Sequence, residues 1–412
     1  MIYPLMVRVR QKRPPQPAAD VTRAVRVAVA DICQGGNLRA GARIGVTVGS
    51  RGIAGITTIL RALVAELKKA GFAPALLASM GSHGGGTVAG QRAVLAGLGI
   101  SEETIGAPLL AGDVWLEVGR TENGEPVYVN KLALSLDSLV VLNRVKPHTA
   151  FHGQVESGLV KMLAVGLGGP PGARVVHRAR PSQIPEVLTR LAGVLLAKLP
   201  VLGGLAILED GWCQFLAAGD IVEHEPELLA RARELMPHLP VKEADILIVE
   251  EMGKCFSGTG MDTNVIGRMR INGLREPEEP FFARIVVLDL AAASEGNAHG
   301  LGLADFTTRG LLHKVDWEKT YLNSLTTGYV QRGMIPLCFP TEEEAIEAAF
   351  RSLPVAPEEA RVVHIRNTSA IDELAVSVNL RSALPETVEV LSPGPYALSF
   401  SGGVLRRLKE GY

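Results

Sequence analysis

The chain has 412 residues, with 42 Lys and Arg against 43 Asp and Glu and a formal charge of -1. At roughly 150 residues per domain that length predicts two to three domains with room for a large core. The charge balance argues against a nucleic-acid partner bound through a basic field. Charged residues are 21% and hydrophobic residues 47%, a globular rather than disordered composition. The four cysteines (Cys33, Cys213, Cys255, Cys338) lie far apart with no CxxC pair. That argues against a disulfide framework or a zinc ribbon and fits a reducing compartment; Cys213 and Cys255 read as buried rather than reactive. The apolar stretch before Arg8 is too short for a secretory signal, and the longest apolar region, Leu188 to Leu208, is broken by Arg190, Lys198 and Pro200. The expectation is a soluble, cytoplasmic protein with no membrane partner.

In chain order, Arg43–Gly49 is short, apolar and β-branched, as a buried strand should be. A helix follows, with Ile56, Leu60, Leu63, Val64 and Leu67 at steps of three and four, closed by Gly71. Ala73–Ser79 reads as the next strand, running into the glycine-rich turn 81–86 and a helix from Thr87. This β-α-β-α order predicts an open, largely parallel sheet covered by helices, with ligands beyond the C-terminal strand ends. Asp137–Leu142 is a further strand, Ile184–Lys198 a helix, and the charged stretch Glu223–Pro240 is helical in its middle. A boundary near Leu239 divides the chain into residues 1–239 and 240–412, the last strands being free to return to the first domain. Asp245–Glu250 and Arg284–Leu290 begin a second alternation, and Glu342–Phe350 is a helix. The fold class is therefore α/β: two α/β domains with largely parallel sheets and a site expected in the cleft between them.

No Walker A sequence occurs, and the fragments at Gly258 and Gly300 lack the third glycine of a dinucleotide fingerprint. Four histidines, His83, His148, His152 and His177, cluster instead in the first half with Arg51, Lys146 and Lys161. Imidazole is both a common ligand for nickel, zinc or copper and the usual general base near neutral pH. Each residue has a plainer reading as well. His83 sits where a left-handed turn is expected, His148 after a proline where it can hydrogen-bond the loop, and Lys161 where a lysine can snorkel from a helix. The segment 294–306, which contains His299, reads either as a ligand loop off a strand end or as a capping turn.

The run Asn143-Arg144-Val145-Lys146-Pro147-His148-Thr149, then Glu156-Ser157-Gly158-Leu159-Val160-Lys161, then His177, resembles the nickel-dependent lactate racemase family. Members carry a Pro-His, a Ser-Gly-x-x-Lys and a later His; here Lys161 and His177 are sixteen residues apart. Ser50-Arg51 and Ser82-His83-Gly84 complete the pattern, and Gly258 to Asn264 is similar to the family's Gly-x-Pro-x-Asp-x-Asn loop. The resemblance implies a nickel-pincer nucleotide (a pyridinium-3-thioamide-5-thiocarboxylic acid mononucleotide holding nickel through S, C and S). It makes Lys161 the covalent tether and His177 the nickel ligand. His83 and His148 become paired acid/base residues, and Arg51 the holder of a substrate carboxylate. Gly84, Gly85, Ser157 and Gly158 are then cofactor-binding, and Lys146, Asp262, Asn264, Arg268, Arg270 and His299 substrate-binding.

That assignment predicts a racemase or epimerase acting on a small 2-hydroxy acid by reversible hydride transfer. Removing the Cα hydrogen as hydride avoids a carbanion that imidazole is too weak a base to generate; two flanking bases then handle the hydroxyl proton. The chain departs from the family in places. Val48 replaces an aspartate, Val155-Glu156 and Leu159-Val160 replace the phenylalanine and glycines of the tether loop, and the longer interval from His148 to Lys161 makes His152 a competing base. These departures predict a different substrate. Two other readings stand beside it: a zinc-type metal-dependent hydrolase or lyase using the same histidines, and a non-catalytic cofactor-binding protein.

Overall fold

The computed structural model describes residues 1–11, 20–35, 38–50, 52–391 and 394–408. The chain divides into two compact units, Gln16–Met236, and Met1–Pro15 with Pro237–Tyr412. The first strand, β1 (Leu5–Gln11), thus belongs with the C-terminal part of the chain rather than with the residues that follow it.

The unit of residues 16–236 runs α1 (Val21–Gly35), β2 (Arg43–Val48), α2 (Ile56–Lys69), β3 (Ala73–Ala78), α3 (Val88–Gly97), α4 (Glu102–Ile105), β4 (Leu109–Leu110), β5 (Trp115–Arg120), β6 (Pro126–Asn130), β7 (Ser138–Arg144), α5 (Leu159–Lys161), α6 (Gly169–His177), α7 (Ile184–Lys198), β8 (Val201–Ile207), β9 (Cys213–Ala217) and α8 (Ile221–Leu235). Six strands form a sheet in the order β4-β3-β2-β7-β8-β9, parallel except for β9. Both faces are covered, so its strands are apolar throughout: β2 and β3 each bury five of six residues. Alternation sorts those side chains, with Val140 and Leu142 in the core that holds α1 and α2, and Leu139 and Val141 in the core that holds α6, α7 and α8. Helix α2 buries Ile56, Ile59, Leu60, Leu63, Val64 and Leu67, and Gly71 beyond it takes φ 86°, the left-handed stop the sequence called for. Thr87 caps α3 by accepting a hydrogen bond from the Gly90 N–H.

The unit that holds residues 237–412 contains β10 (Glu243–Met252), α9 (Thr263–Ile266), β11 (Phe281–Leu290), β12 (Phe306–Thr308), α10 (Arg309–His313), α11 (Trp317–Thr327), β13 (Leu337–Phe339), α12 (Glu342–Arg351), β14 (Val362–Ile365), β15 (Glu373–Ser377), β16 (Val388–Val390) and β17 (Tyr396–Ala397). Its sheet order is β13-β12-β11-β10-β14-β15-β1-β16, with β17 also on β1. The strands from β13 to β14 are parallel; those from β15 onward pair antiparallel. Helix α12 packs Ala345, Ile346, Ala349 and Phe350 on one face, beside Ile246, Ile248 and Val286. Both units are α/β with mostly parallel strands, and among the described residues no helix is long and apolar enough to cross a membrane.

Candidate functional site

Three loops leave the C-terminal ends of adjacent parallel strands β2, β3 and β7, where side chains on loops are displayed over a rigid sheet. The β2 loop supplies Ser50, whose hydroxyl hydrogen-bonds His83 Nδ1 in the β3 loop, so the ring of the exposed His83 is held from one side. Arg51 lies outside the described residues. Gly84, Gly85 and Gly86 take left-handed φ of 66°, 65° and 68° in succession, and a Cβ on Gly84 would sit 2.6 Å from the Gly90 carbonyl carbon. Only glycine fits there, and consecutive backbone turns of this kind form concavities that receive anions.

The β7 loop carries Lys146, His148 and His152. Its base is a two-way backbone pairing of Lys146 with Ser157, N–H to O distances 2.8 and 3.3 Å. Glu156 organises the interior of the loop. Its buried carboxylate accepts from the His148 N–H (2.5 Å), the Gly153 N–H (3.1 Å), His152 Nδ1 (3.3 Å) and Arg233 Nη2 (2.6 Å). Burial alone would raise the Glu156 pKa, but the hydrogen bonds from His152, His148 and Gly153 hold it below the usual carboxylate value.

The two loop histidines are set differently. His148 Nδ1 accepts from the Ala150 N–H at 3.1 Å, so its neutral ring carries the proton on Nε2. His152 turns Nδ1 toward the Glu156 carboxylate, so its neutral ring has Nε2 as the acceptor.

Lys161 ends α5 and leads into a π-helix, Met162–Leu167, a geometry frequent at functional sites. The π-helix lies against the other loops: Val165 approaches Gly81, and Met162 Cε would be 3.1 Å from a Cβ on Gly49. Phe151 links the loop to the lysine. His148 stacks on its ring with centroids 4.1 Å apart, and Lys161 Nζ lies 5.6 Å from the same centroid. His177 is the last residue of α6, where a helix C-terminus ordinarily favours imidazolium. Although part of the residue reaches solvent, the protein around the ring and, second, the Lys161 charge lower its pKa, so its nitrogen lone pair is kept at neutral pH. His83, His148, His152, Lys161 and His177 thus all lie on the strand-end loops and the helices that follow them, in one unit.

Ser157 and Gly158 lead into Lys161. A Cβ on Gly158 would fall 2.5 Å from Glu225 Oε1, so any larger residue here would displace that carboxylate. Glu225, buried on α8, accepts from the Val160 N–H at 2.9 Å, and burial pushes its carboxyl pKa up to about 7.

In the other unit, Asp262, Asn264, Arg268, Arg270 and His299 have partners within that unit. Asp262 caps α9, accepting from the Asn264 N–H (2.9 Å) and Nδ2 (3.0 Å). Arg268 Nη1 and Arg270 Nη2 both reach Asp305, each at 2.6 Å, and both guanidinium groups donate to backbone carbonyls as well. His299 is buried with Nδ1 3.0 Å from Ser324 Oγ, and burial, then Lys254 and Arg332, lower its pKa to about 4. Cys213 is buried as expected, but Cys255 is exposed, because it follows β10 in a loop rather than lying within the strand.

In the sequence Glu156 is legible only as part of a motif, and Glu225 and Arg233 read as members of a charged helix. Glu225 did carry a signal. It occupies the same face as Ile221, Leu228, Leu229 and Ala232, a lone acid in an apolar stripe.

Among known proteins, residues 6–179 match the lactate racemase N-terminal domain family. No curated protein matches the chain. The lactate racemase apoprotein from Thermoanaerobacterium thermosaccharolyticum is structurally similar over 89% of this chain and 99% of that one, at 12% identity and a TM-score of 0.48. The matched stretch contains Arg51, His83, His148, His152, Lys161 and His177. Residues 6–179 thus carry a lactate racemase N-terminal domain.

Proposed function

We propose that the protein is a racemase or epimerase of a small 2-hydroxy acid, with the nickel-pincer nucleotide as its resident cofactor. Lys161 would be the covalent tether, His177 the nickel ligand, and the Gly84–Gly85 turn with Ser157 and Gly158 the surrounding cradle. When bound, that group supplies a reversible hydride acceptor. The chain's own residues handle the rest. His83, steadied by Ser50, exchanges the substrate hydroxyl proton on one side. His148, with its proton on Nε2, is set to give one on the other; His152, braced by Glu156, is the competing acceptor. Arg51 and Lys146 are the cations for the substrate carboxylate, a job that suits a guanidinium fork.

The observation that carries this reading is the Phe151 ring, which holds His148 and Lys161 together while the Lys161 charge bears on His177. The donor set also favours a pincer over zinc. A protein zinc site draws three or four ligands from the chain, whereas among the described residues no group of three His, Cys, Asp or Glu side chains is placed to hold a metal. A pincer brings its own donors, so one imidazole suffices.

The test is intact-protein and peptide mass spectrometry after co-expression with the cofactor-making enzymes, with nickel analysis and chiral assays on a 2-hydroxy acid panel. An adduct on Lys161, lost together with interconversion in Lys161→Ala, is expected. Nickel and turnover without an adduct would remove the tether but keep the racemase. Protein lacking nickel, near-visible absorbance and interconversion would overturn the reading.

A further inference from the structure

Helix α8 lies outside the residues matched to the family, yet it reaches the segment 148–161 at both ends. At one end, α5 starts at Gly158 with no side-chain cap of its own. The first amides of a helix need acceptors, and Glu225 supplies one from a different helix, its Oε2 2.9 Å from the Val160 nitrogen. The fit is close: a Cβ at residue 158 would meet the Glu225 carboxylate 2.5 Å away. Among the described residues, Glu225 Oε1 is buried with no hydrogen-bond partner. Leaving a buried carboxyl half-satisfied is costly, and a leucine would fill an apolar stripe at less expense. The acid is therefore explained by the amide it holds.

Eight residues further along α8, about 12 Å at 1.5 Å per residue, Arg233 Nη2 donates to Glu156 Oε1 at 2.6 Å and to the Gly153 carbonyl at 3.1 Å. Glu156 in turn fixes the His148 N–H and the His152 ring. We propose that α8 is the splint of the site, with Glu225 the positioning residue for Lys161 and Arg233 the positioning residue for the histidine loop. Neither touches the reacting atoms, and the catalytic side of this role rests on the racemase reading above.

The test is hydrogen exchange on the full-length protein carrying Glu225→Leu, Glu225→Gln or Arg233→Met, with acylation of Lys161 by an amine reagent as a second readout. Glu225→Leu is expected to speed exchange at the Val160 amide about tenfold, the loss of one hydrogen bond. It should also change the Lys161 acylation rate several-fold while leaving the His148 and Gly153 amides unaltered. Arg233→Met should do the reverse, and Glu225→Gln should restore the wild-type pattern. In the loaded enzyme Glu225→Leu should lower kcat about tenfold, by the same conversion, with little change in KM. Unaltered exchange at Val160, or uniform acceleration along the whole segment in both variants, would overturn the splint. A wild-type protein that turns over no 2-hydroxy acid would sink the racemase reading instead, and the exchange pattern would still decide what α8 does.

Discussion

The two units answer the same design problem differently. Each has parallel strands whose C-terminal ends give rise to loops rich in polar residues. In the unit of residues 16–236, buried groups such as Glu156 and Glu225 hold the backbone while His83 and His152 stay exposed and His148 and Lys161 half-buried. In the other unit the corresponding polar residues bond to one another. Arg268 and Arg270 close on Asp305, Asp262 caps its own helix, and His299 meets Ser324 in the interior. A polar loop beyond a parallel strand is therefore not a site by itself; the two differ in exposure, with His83 and His152 reaching solvent where His299 is buried.

The contrast breaks most sharply at the histidines. His148→Asn should lower turnover of the loaded enzyme by about 10²–10⁴-fold, the usual worth of a positioned acid/base, without changing the melting temperature. His152→Asn should lose less. A larger loss at His152 would exchange their roles. Arg268→Met should show the opposite split. Removing one partner of a largely buried, charge-paired cluster costs about 3 kcal/mol, read as a lower urea midpoint, while KM of the folded enzyme holds steady. A KM increase at unchanged stability would instead give Arg268 to the substrate.

The effect at His299 depends on pH. Its folded pKa is lowered from 6.5 to about 4, so the unfolded chain takes up a proton that the native ring refuses. The stability concerned is present above pH 6.5 and drains as pH falls toward 4, by up to about 3 kcal/mol. His299→Gln should flatten the stability profile over that window; an unchanged slope would place its cause elsewhere.

Much of this was legible from local rules. β2, α2, α7 and α12 follow from periodicity and end signals because each buries one clear face or an entire short strand. The histidines, Lys161 and the glycines that admit them were legible as residue types at set intervals. The long-range partners were not. Glu156 to Arg233 and Val160 to Glu225 span 77 and 65 residues, and no period or cap rule reaches that far. The exchange of β1 between halves was hidden for the same reason, since an alternating apolar strand does not declare which sheet it will join.

That strand has a consequence for synthesis. β1 is paired on one side with β15, Met6 opposite Ser377 and Val9 opposite Leu374, and on the other with β16, Val9 opposite Val390. The ribosome therefore releases the first piece of the second sheet before any of its neighbours exist. Some 360 residues must emerge, and an entire α/β layer can form, before Leu5–Gln11 finds either partner. Contacts this distant in sequence are slow to close. Until then the nascent chain carries an open, half-apolar edge over Leu5–Gln11, which is when it is most exposed to mispairing.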